Sequence, residues 1–126
     1  FAEFTVGIDC TARDVQSALK AKGLPWEKAK AFDQSAVLGD FLSVDDFDLS
    51  NLHFQLKKNG ELVQDGNTSL MLHNIAQLIE HSSQYFTLKI GDLLFTGTPE
   101  GVGPVAPGDL LEGFIEGKKV LNVKVR

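Results

Sequence analysis

The pattern of apolar and polar positions predicts a chain built mostly from short β-strands. Several apolar runs are short, bounded by turn residues and rich in β-branched or aromatic side chains, which is typical of strands. Asn59-Gly60 lies between two of these runs and predicts a hairpin with a type I′ turn. The predicted strands are Phe4–Ile8, Leu52–Lys57, Glu61–Gln64, Leu93–Thr96, Leu110–Ile115 and Val120–Val125, the last two forming a closing hairpin through Glu116-Gly117-Lys118.

Two segments carry apolar side chains at helical spacing and predict two short helices. The first is Ala12–Lys22, with Thr11 in the position of a capping-box residue and Gly23 as the stop signal. The second is Leu70–Ser82, for which Ser69 is the predicted N-cap.

The segments between these elements favour one domain of the α+β class. Gly23–Asp33 is expected to be a loop or a single turn, and Gln34–Leu49 is expected to be irregular. Strands outnumber helices, so the class is mostly β with a largely antiparallel or mixed sheet. A chain of 126 residues is long enough for one domain with a core and short for two.

The composition argues against several classes of function. The net charge is −5, and no basic run is longer than Lys57–Lys58 or Lys118–Lys119, so nucleic-acid binding has no electrostatic support. No apolar run is long enough to cross a bilayer, so no membrane partner is expected. Cys10 is the single cysteine. It fits a reducing compartment and predicts a cytoplasmic location, or a mitochondrial one in a eukaryote.

The segment Gly91–Glu112 contains five of the twelve glycines and three of the four prolines. Such density predicts a rigid, shaped loop after a strand, and loops of this kind commonly carry function. The N–H groups of Gly97 and Thr98, with the Thr98 hydroxyl, could bind an anionic oxygen. The alternative is an ordinary double turn in which the hydroxyl satisfies the loop's own backbone.

Four further polar residues near the first helix are candidates for chemistry. Asp9 ends a predicted strand beside a helix N-terminus, where it would either ligate Mg²⁺ or interact with the helix dipole. Lys30 follows the only tryptophan and is either a positive charge for a substrate or a solvated lysine. Arg13 and Gln16 share a helix face at i, i+3 spacing, which is either part of the same pocket or simply exposed.

Taken together, several motifs resemble the fumarylacetoacetate hydrolase family, most closely its small acylpyruvase and oxaloacetate-decarboxylase-like branch. The resemblance is collinear from Phe4 to the C-terminus. The segments that carry it are DCTARD at 9–14, GLPW at 23–26, KAKAFD at 28–33, GDLLFTGTP at 91–99 and GVGP at 101–104.

The resemblance implies a fold, a metal and a set of site residues. The fold would be a mostly β, mixed β-sandwich roll with two short helices, usually homodimeric, in which residues 1–126 form the C-terminal part of one catalytic domain. A Mg²⁺ or Mn²⁺ ion would be held by three carboxylates, of which two come from an upstream Glu-x-Glu pair. The residues implied here are Asp9 as the third metal ligand, Lys30 as the catalytic lysine, and Arg13, Gln16, Gly97 and Thr98 as substrate-binding residues.

The resemblance also implies a reaction. A short 2-oxo acid would lose a C–C bond through a metal-bound enolate, by acylpyruvate hydrolysis or by oxaloacetate-type decarboxylation. The alternatives are a keto–enol tautomerase at the same site, or an inactive fragment or partner subunit. No Glu-x-Glu pair occurs in these 126 residues, and the chain opens at Phe1 as if inside a strand. We therefore expect a fragment, a processed product or the ordered part of a longer protein, which by itself binds Mg²⁺ weakly and has little or no activity.

Overall fold

A computed structural model describes all residues, Phe1–Arg126, and divides them into two compact units. The larger unit comprises Phe1–Val6 and Gly39–Arg126, and the smaller comprises Gly7–Leu38. The strands are β1 (Glu3–Phe4), β2 (Gly7–Asp9), β3 (Ala36–Leu38), β4 (Leu42–Ser43), β5 (His53–Lys58), β6 (Glu61–Asn67), β7 (Leu110–Ile115) and β8 (Lys118–Lys124). The helices are α1 (Arg13–Ala21), α2 (Glu27–Lys30) and α3 (Ile75–Ser83).

The larger unit is built on a four-stranded antiparallel sheet in the order β6-β5-β7-β8. Asn59 and Gly60 join β5 to β6 with φ values of 53° and 84°, which confirms the predicted type I′ hairpin. Glu116 and Gly117 join β7 to β8 with φ values of 46° and 76°. A separate pair of strands, β1 and β4, is also antiparallel.

The core of the larger unit forms around three buried side chains, those of Leu52, Ile115 and Val120. Phe4 packs against this cluster and meets Phe47 edge to face, with ring centroids 5.3 Å apart. The core is therefore made by residues of β7 and β8, by Leu52 just before β5, and by the aromatic side chains that pack against them.

The smaller unit consists of the antiparallel pair β2–β3, with α1 and α2 lying between the two strands in sequence. The Cys10 N–H donates to the Ser35 carbonyl at 2.7 Å, which continues the β2–β3 pairing by one residue. The Ala12 N–H donates to the carbonyl of Ala29, a fully buried residue, at 3.0 Å. This second bond holds the start of α1 against the end of α2.

The mostly β, α+β class is confirmed, but several strand boundaries differ from the predictions. The predicted strand Phe4–Ile8 is interrupted at residues 5 and 6, because β1 pairs with β4 whereas β2 pairs with β3. Leu93–Thr96 is not a strand, since it lacks a strand partner. Gln34–Leu49 is not wholly irregular, because it contains β3 and β4.

The helices also differ in number and in their caps. There are three helices rather than two, and the additional one, Glu27–Lys30, is the single turn that the expectation for Gly23–Asp33 allowed. The predicted helix Leu70–Ser82 begins only at Ile75, where Asn74 and Gln77 form the capping box. Ser69 instead lies in a short 3₁₀ turn. No helix has the length and apolar character needed to cross a membrane.

Candidate active site

The clearest polar cluster in the smaller unit is centred on the ammonium group of Lys30. Its Nζ lies 2.6 Å from Asp9 Oδ2 and 2.8 Å from Thr11 Oγ1. The side chains of Lys30 and Asp9 are 33% and 50% exposed, so solvent and small ligands can reach both. Two candidates that the sequence suggested separately are thus in direct contact.

Local folding explains why these groups meet. Asp9 is the last residue of β2 and is paired with Ala36 of β3. Lys30 is the last residue of α2 and directly follows the buried Ala29, whose carbonyl is bound by the first turn of α1. The predicted capping box at Thr11 is wrong, because the residue before α1 is Ala12 and the Thr11 hydroxyl accepts a hydrogen bond from Lys30 instead.

Arg13 and Gln16 lie on one face of α1. Arg13 Nη1 donates to Gln16 Oε1 at 3.3 Å, as their i, i+3 spacing allows. Arg13 is exposed and Gln16 is half-buried. The bond occupies one guanidinium donor of Arg13 and leaves its positive charge and most of its donors available.

Gly97 and Thr98 belong to the larger unit, in a stretch without regular secondary structure. Gly97 has a φ of 108°, a left-handed conformation that favours glycine. The hydroxyl of Thr98 accepts a hydrogen bond of 2.8 Å from Nε2 of Gln64 on β6. Gln64 was not among the sequence candidates, because a glutamine at the end of a predicted strand gives no sign of a partner 34 residues away.

Burial or local hydrogen bonds shift the pKa values of several ionisable groups. Burial raises the pKa of the Cys10 thiol, and the negative charge of Asp9 raises it further, against a smaller opposing effect of Lys30. Hydrogen bonds from Asn59 and from the Ala106 N–H lower the pKa of Asp109.

The residues of this chain do not by themselves complete a metal site. No group of three or more His, Cys, Asp or Glu side chains converges where it could hold an ion. Asp9 offers one carboxylate, and Lys30 already contacts one of its oxygens. Since Mg²⁺ needs several converging oxygens to give up its water, this donor set supplies at most one ligand of a tight site.

An open depression of about 430 Å³ lies beside β6 in the larger unit. It is lined by Leu62–Asp65, Glu100 and Gly101. None of the predicted site residues lines it, although Gln64, whose amide contacts Thr98, does.

Comparison with known proteins is consistent with the fold and with the motifs. The family model described as the fumarylacetoacetate (FAA) hydrolase C-terminal matches residues 2–126. The chain therefore belongs to the fumarylacetoacetate hydrolase family.

Relatives with curated names cover most of this chain. An oxaloacetate tautomerase of Escherichia coli is 48% identical over 118 residues, which are 92% of this chain and 54% of that protein. A mitochondrial oxaloacetate tautomerase of Homo sapiens is 43% identical over 123 residues, 97% of this chain and 56% of that protein. The chain thus spans about half the length of the curated relatives that it matches.

Solved structures agree closely with the backbone. A fumarylacetoacetate hydrolase family protein from Yersinia pestis has a TM-score of 0.94 and 44% identity, covering 99% of this chain and 59% of that one. A fumarylpyruvate hydrolase from Pseudomonas aeruginosa, crystallised with Mn²⁺ and pyruvate, has a TM-score of 0.90 and 37% identity. The match covers 98% of this chain and 53% of that protein.

Proposed function

We propose that the protein is an enzyme that acts on short 2-oxo acids. We also propose that residues 1–126 are the C-terminal part of its catalytic domain. The observation that carries the proposal is the position of Lys30, whose ammonium group is bound by Asp9 and Thr11 while its side chain remains one-third exposed. A lysine held in this way is a fixed positive charge that a ligand can approach.

The role proposed for Lys30 is to stabilise negative charge on a substrate oxygen. Cleavage of the C3–C4 bond, and removal of a proton from C3 in keto–enol interconversion, both leave an electron pair on C3 that delocalises onto the 2-oxo oxygen. A positive charge already in place stabilises that oxygen more in the transition state than in the ground state. Asp9 and Thr11 would keep the ammonium group oriented.

The carboxylate of a 2-oxo acid needs donors of its own. We propose that the N–H groups at Gly97 and Thr98 and the Thr98 hydroxyl bind a substrate carboxylate. Arg13 is proposed to bind a carboxylate as well, because its guanidinium has several donors in a planar array. Gln16 would orient Arg13 through the bond that joins them.

A divalent cation, Mg²⁺ or Mn²⁺, is proposed for the complete protein, with Asp9 as one ligand. The Mn²⁺ in the related fumarylpyruvate hydrolase supports this proposal. Such an ion would act as a Lewis acid on the substrate oxygens. The other ligands are proposed to lie outside these 126 residues.

Three outcomes share this chemistry. Acylpyruvate plus water gives pyruvate and a carboxylic acid, oxaloacetate plus a proton gives pyruvate and CO₂, and a tautomerase moves a proton between carbon and oxygen without breaking the carbon chain. The names of the relatives include oxaloacetate tautomerase, oxaloacetate decarboxylase and fumarylpyruvate hydrolase. They support a 2-oxo acid substrate and favour oxaloacetate tautomerisation as the second candidate beside C–C cleavage.

A homodimer is proposed for the assembled protein. The segment around Tyr85 and Phe86 leaves these side chains 70% and 69% exposed, which is costly for aromatic groups in water. We propose that a second copy covers them. Sedimentation of the full-length protein at about twice its sequence mass would support this, and sedimentation as a monomer would contradict it.

Product analysis of the full-length protein tests the function. Oxaloacetate and an acylpyruvate are incubated with the protein and Mg²⁺ or Mn²⁺, while pyruvate, CO₂ and the enol absorbance are followed. Pyruvate formation above the metal-only rate indicates cleavage, and loss of enol absorbance without pyruvate indicates tautomerisation. Neither signal with either metal would favour the third possibility, a catalytically inactive chain or partner subunit.

A further inference from the structure

Gln64 connects the β5–β6 hairpin to the loop that contains Thr98. Its Nε2 lies 2.8 Å from Thr98 Oγ1 and 3.0 Å from the Pro99 carbonyl oxygen. The Glu100 carbonyl oxygen is farther, at 3.4 Å. A single side-chain amide therefore contacts three successive residues of a loop that has no regular secondary structure.

The chemistry of these partners fixes the direction of each bond. The carbonyl oxygens of Pro99 and Glu100 can only accept, so the nitrogen of the Gln64 amide must face them. The same nitrogen then donates to the Thr98 hydroxyl, which accepts. Because a hydroxyl has one hydrogen, that hydrogen is left free to donate to another acceptor.

We propose that Gln64 is a positioning residue that makes the Thr98 hydroxyl a hydrogen-bond donor toward a substrate carboxylate. The proposal deepens the function proposed above and rests on it for the identity of the acceptor. The tether, meaning the hydrogen bonds between the Gln64 amide and residues 98–100, is seen in the structure and does not depend on that function. Gln64 would act through Thr98 and would not touch the reacting atoms.

Close packing of the loop on β6 supports this role. Gly101 has a φ of 97°, and a Cβ built there would lie 2.0 Å from the Val63 carbonyl oxygen. The backbone thus approaches β6 at a distance that only glycine allows. Further along the loop, Lys58 Nζ donates to the Pro104 carbonyl at 3.1 Å, which is a second tether from the same hairpin.

The type of side chain matters at position 64. Glutamate has the same shape but no hydrogen to donate, so it would accept from Thr98 and turn the hydroxyl hydrogen inward. It would also place a negative charge beside the two carbonyl oxygens. Methionine keeps most of the volume and has no donor. The two substitutions therefore separate the loss of the bonds from the reversal of their direction.

The test uses the full-length protein and its steady-state kinetics with oxaloacetate and an acylpyruvate. For Gln64→Met we expect KM to rise about 10-fold, and for Gln64→Glu about 10- to 100-fold, with kcat within about threefold of the original. Gln55→Met is the matched control, because Gln55 is on the same hairpin and donates only to Asp65. It should leave KM within about twofold.

A double-mutant cycle with Thr98→Val tests whether the effect passes through the hydroxyl. If it does, Gln64→Met raises KM much less in the Thr98→Val protein than in the original. Equal effects in both backgrounds would overturn the proposal. So would an unchanged KM in both Gln64 variants.

Limited proteolysis of the native protein after the exposed Glu100 gives a readout that needs no substrate. A glutamate-specific protease should cut there faster in Gln64→Met, because the loop is no longer held on β6, whereas Gln55→Met should be cut at the original rate. Unchanged cleavage in Gln64→Met would overturn the tether. If the original protein turns over neither substrate, the proposed function fails, while the proteolysis experiment still decides the tether.

Discussion

Lys30 Nζ lies 2.6 Å from Asp9 Oδ2, although the two residues are 21 positions apart in the chain. The pair is partly exposed, and exposed ion pairs contribute little to the free energy of folding, about 1 kcal/mol or less. If Lys30 acts on a substrate as proposed, its loss should therefore affect activity more than stability. That distinction can be tested by replacing either residue.

Replacing Lys30 should affect activity far more than stability. For Lys30→Met we expect kcat to fall by about 10²- to 10³-fold, the usual effect of removing one group that stabilises a developing oxyanion. The melting temperature should change little. Steady-state kinetics and thermal unfolding of the full-length protein measure the two effects.

Lys28 provides the control for this experiment. It lies on the same helical turn and is exposed, so Lys28→Met should leave kcat within about twofold. Retention of more than one-third of kcat in Lys30→Met would contradict the assigned role. Lys30→Arg should restore little, because a guanidinium cannot reproduce the point contacts to Asp9 and Thr11.

The 126-residue chain by itself should bind Mg²⁺ weakly. No group of three or more His, Cys, Asp or Glu side chains converges around Asp9, and so few ligands do not displace the water of Mg²⁺. Isothermal titration should show no saturable binding below about 1 mM, and Asp9→Asn should give the same trace. Tight binding of one Mg²⁺ per chain would show that other ligands are present.

Short sequence motifs correctly predicted the parts of the fold that depend only on neighbouring residues in the chain. Asn59-Gly60 predicted a type I′ hairpin because few residues tolerate two successive positive φ values. Leu93–Thr96 failed as a strand because a strand needs a partner, which its own sequence does not specify. Thr11 failed as a cap because a distant lysine binds its hydroxyl.

The residues of the candidate site were likewise only partly predictable from the sequence. Family motifs supplied Asp9 and Lys30, and the structure adds their direct contact. Gln64 was not predicted, since its importance depends on which loop folds against β6. Long-range contacts of this kind depend on tertiary packing, which the periodicity of a single sequence does not contain.

Asp109 should make the stability of the protein depend on pH in the acid range. Hydrogen bonds from Asn59, at 2.8 Å, and from the Ala106 N–H, at 2.9 Å, lower its pKa. The ionised Asp109 therefore stabilises the folded state fully above the ordinary aspartate pKa of about 3.9. This stabilisation is lost as pH falls through the lower pKa that Asp109 has in the folded state.

Thermal unfolding of Asp109→Asn in the full-length protein checks this expectation. The variant should melt below the original protein at pH 7, and the difference should shrink as pH falls below about 4. Asp33→Asn is a suitable control, because no side-chain hydrogen bond holds Asp33 in the structure. A difference that grows toward low pH would contradict the direction of the shift.

Truncation of the Ile115 side chain should strongly lower the free energy of unfolding. Its side chain is 1% exposed and lies in the cluster with Leu52 and Val120. Ile115→Ala should lower the free energy of unfolding by about 2–5 kcal/mol, and Ile115→Val by about 0.5–1.5 kcal/mol. Urea denaturation of the full-length protein gives both values, and equal losses would indicate that the cavity is not the cause.

The Phe54–Gly66 pair should show strong coupling between its two residues. Phe54 of β5 is directly opposite Gly66 of β6, and a Cβ added at Gly66 would lie 2.6 Å from Phe54 Cζ. Because Phe54 also packs against the core, its ring has little freedom to move aside. Gly66→Ala should therefore cost about 1–3 kcal/mol of unfolding free energy.

A smaller side chain at position 54 should relieve this strain. In a Phe54→Leu background, Gly66→Ala should cost less than in the original protein, with a coupling of about 0.5–3 kcal/mol by urea denaturation. Gly103→Ala is the control, because nothing lies within 4 Å of a Cβ built there. It should change stability by less than about 0.5 kcal/mol. Additive effects of the Phe54 and Gly66 substitutions would mean that the ring does not restrict position 66.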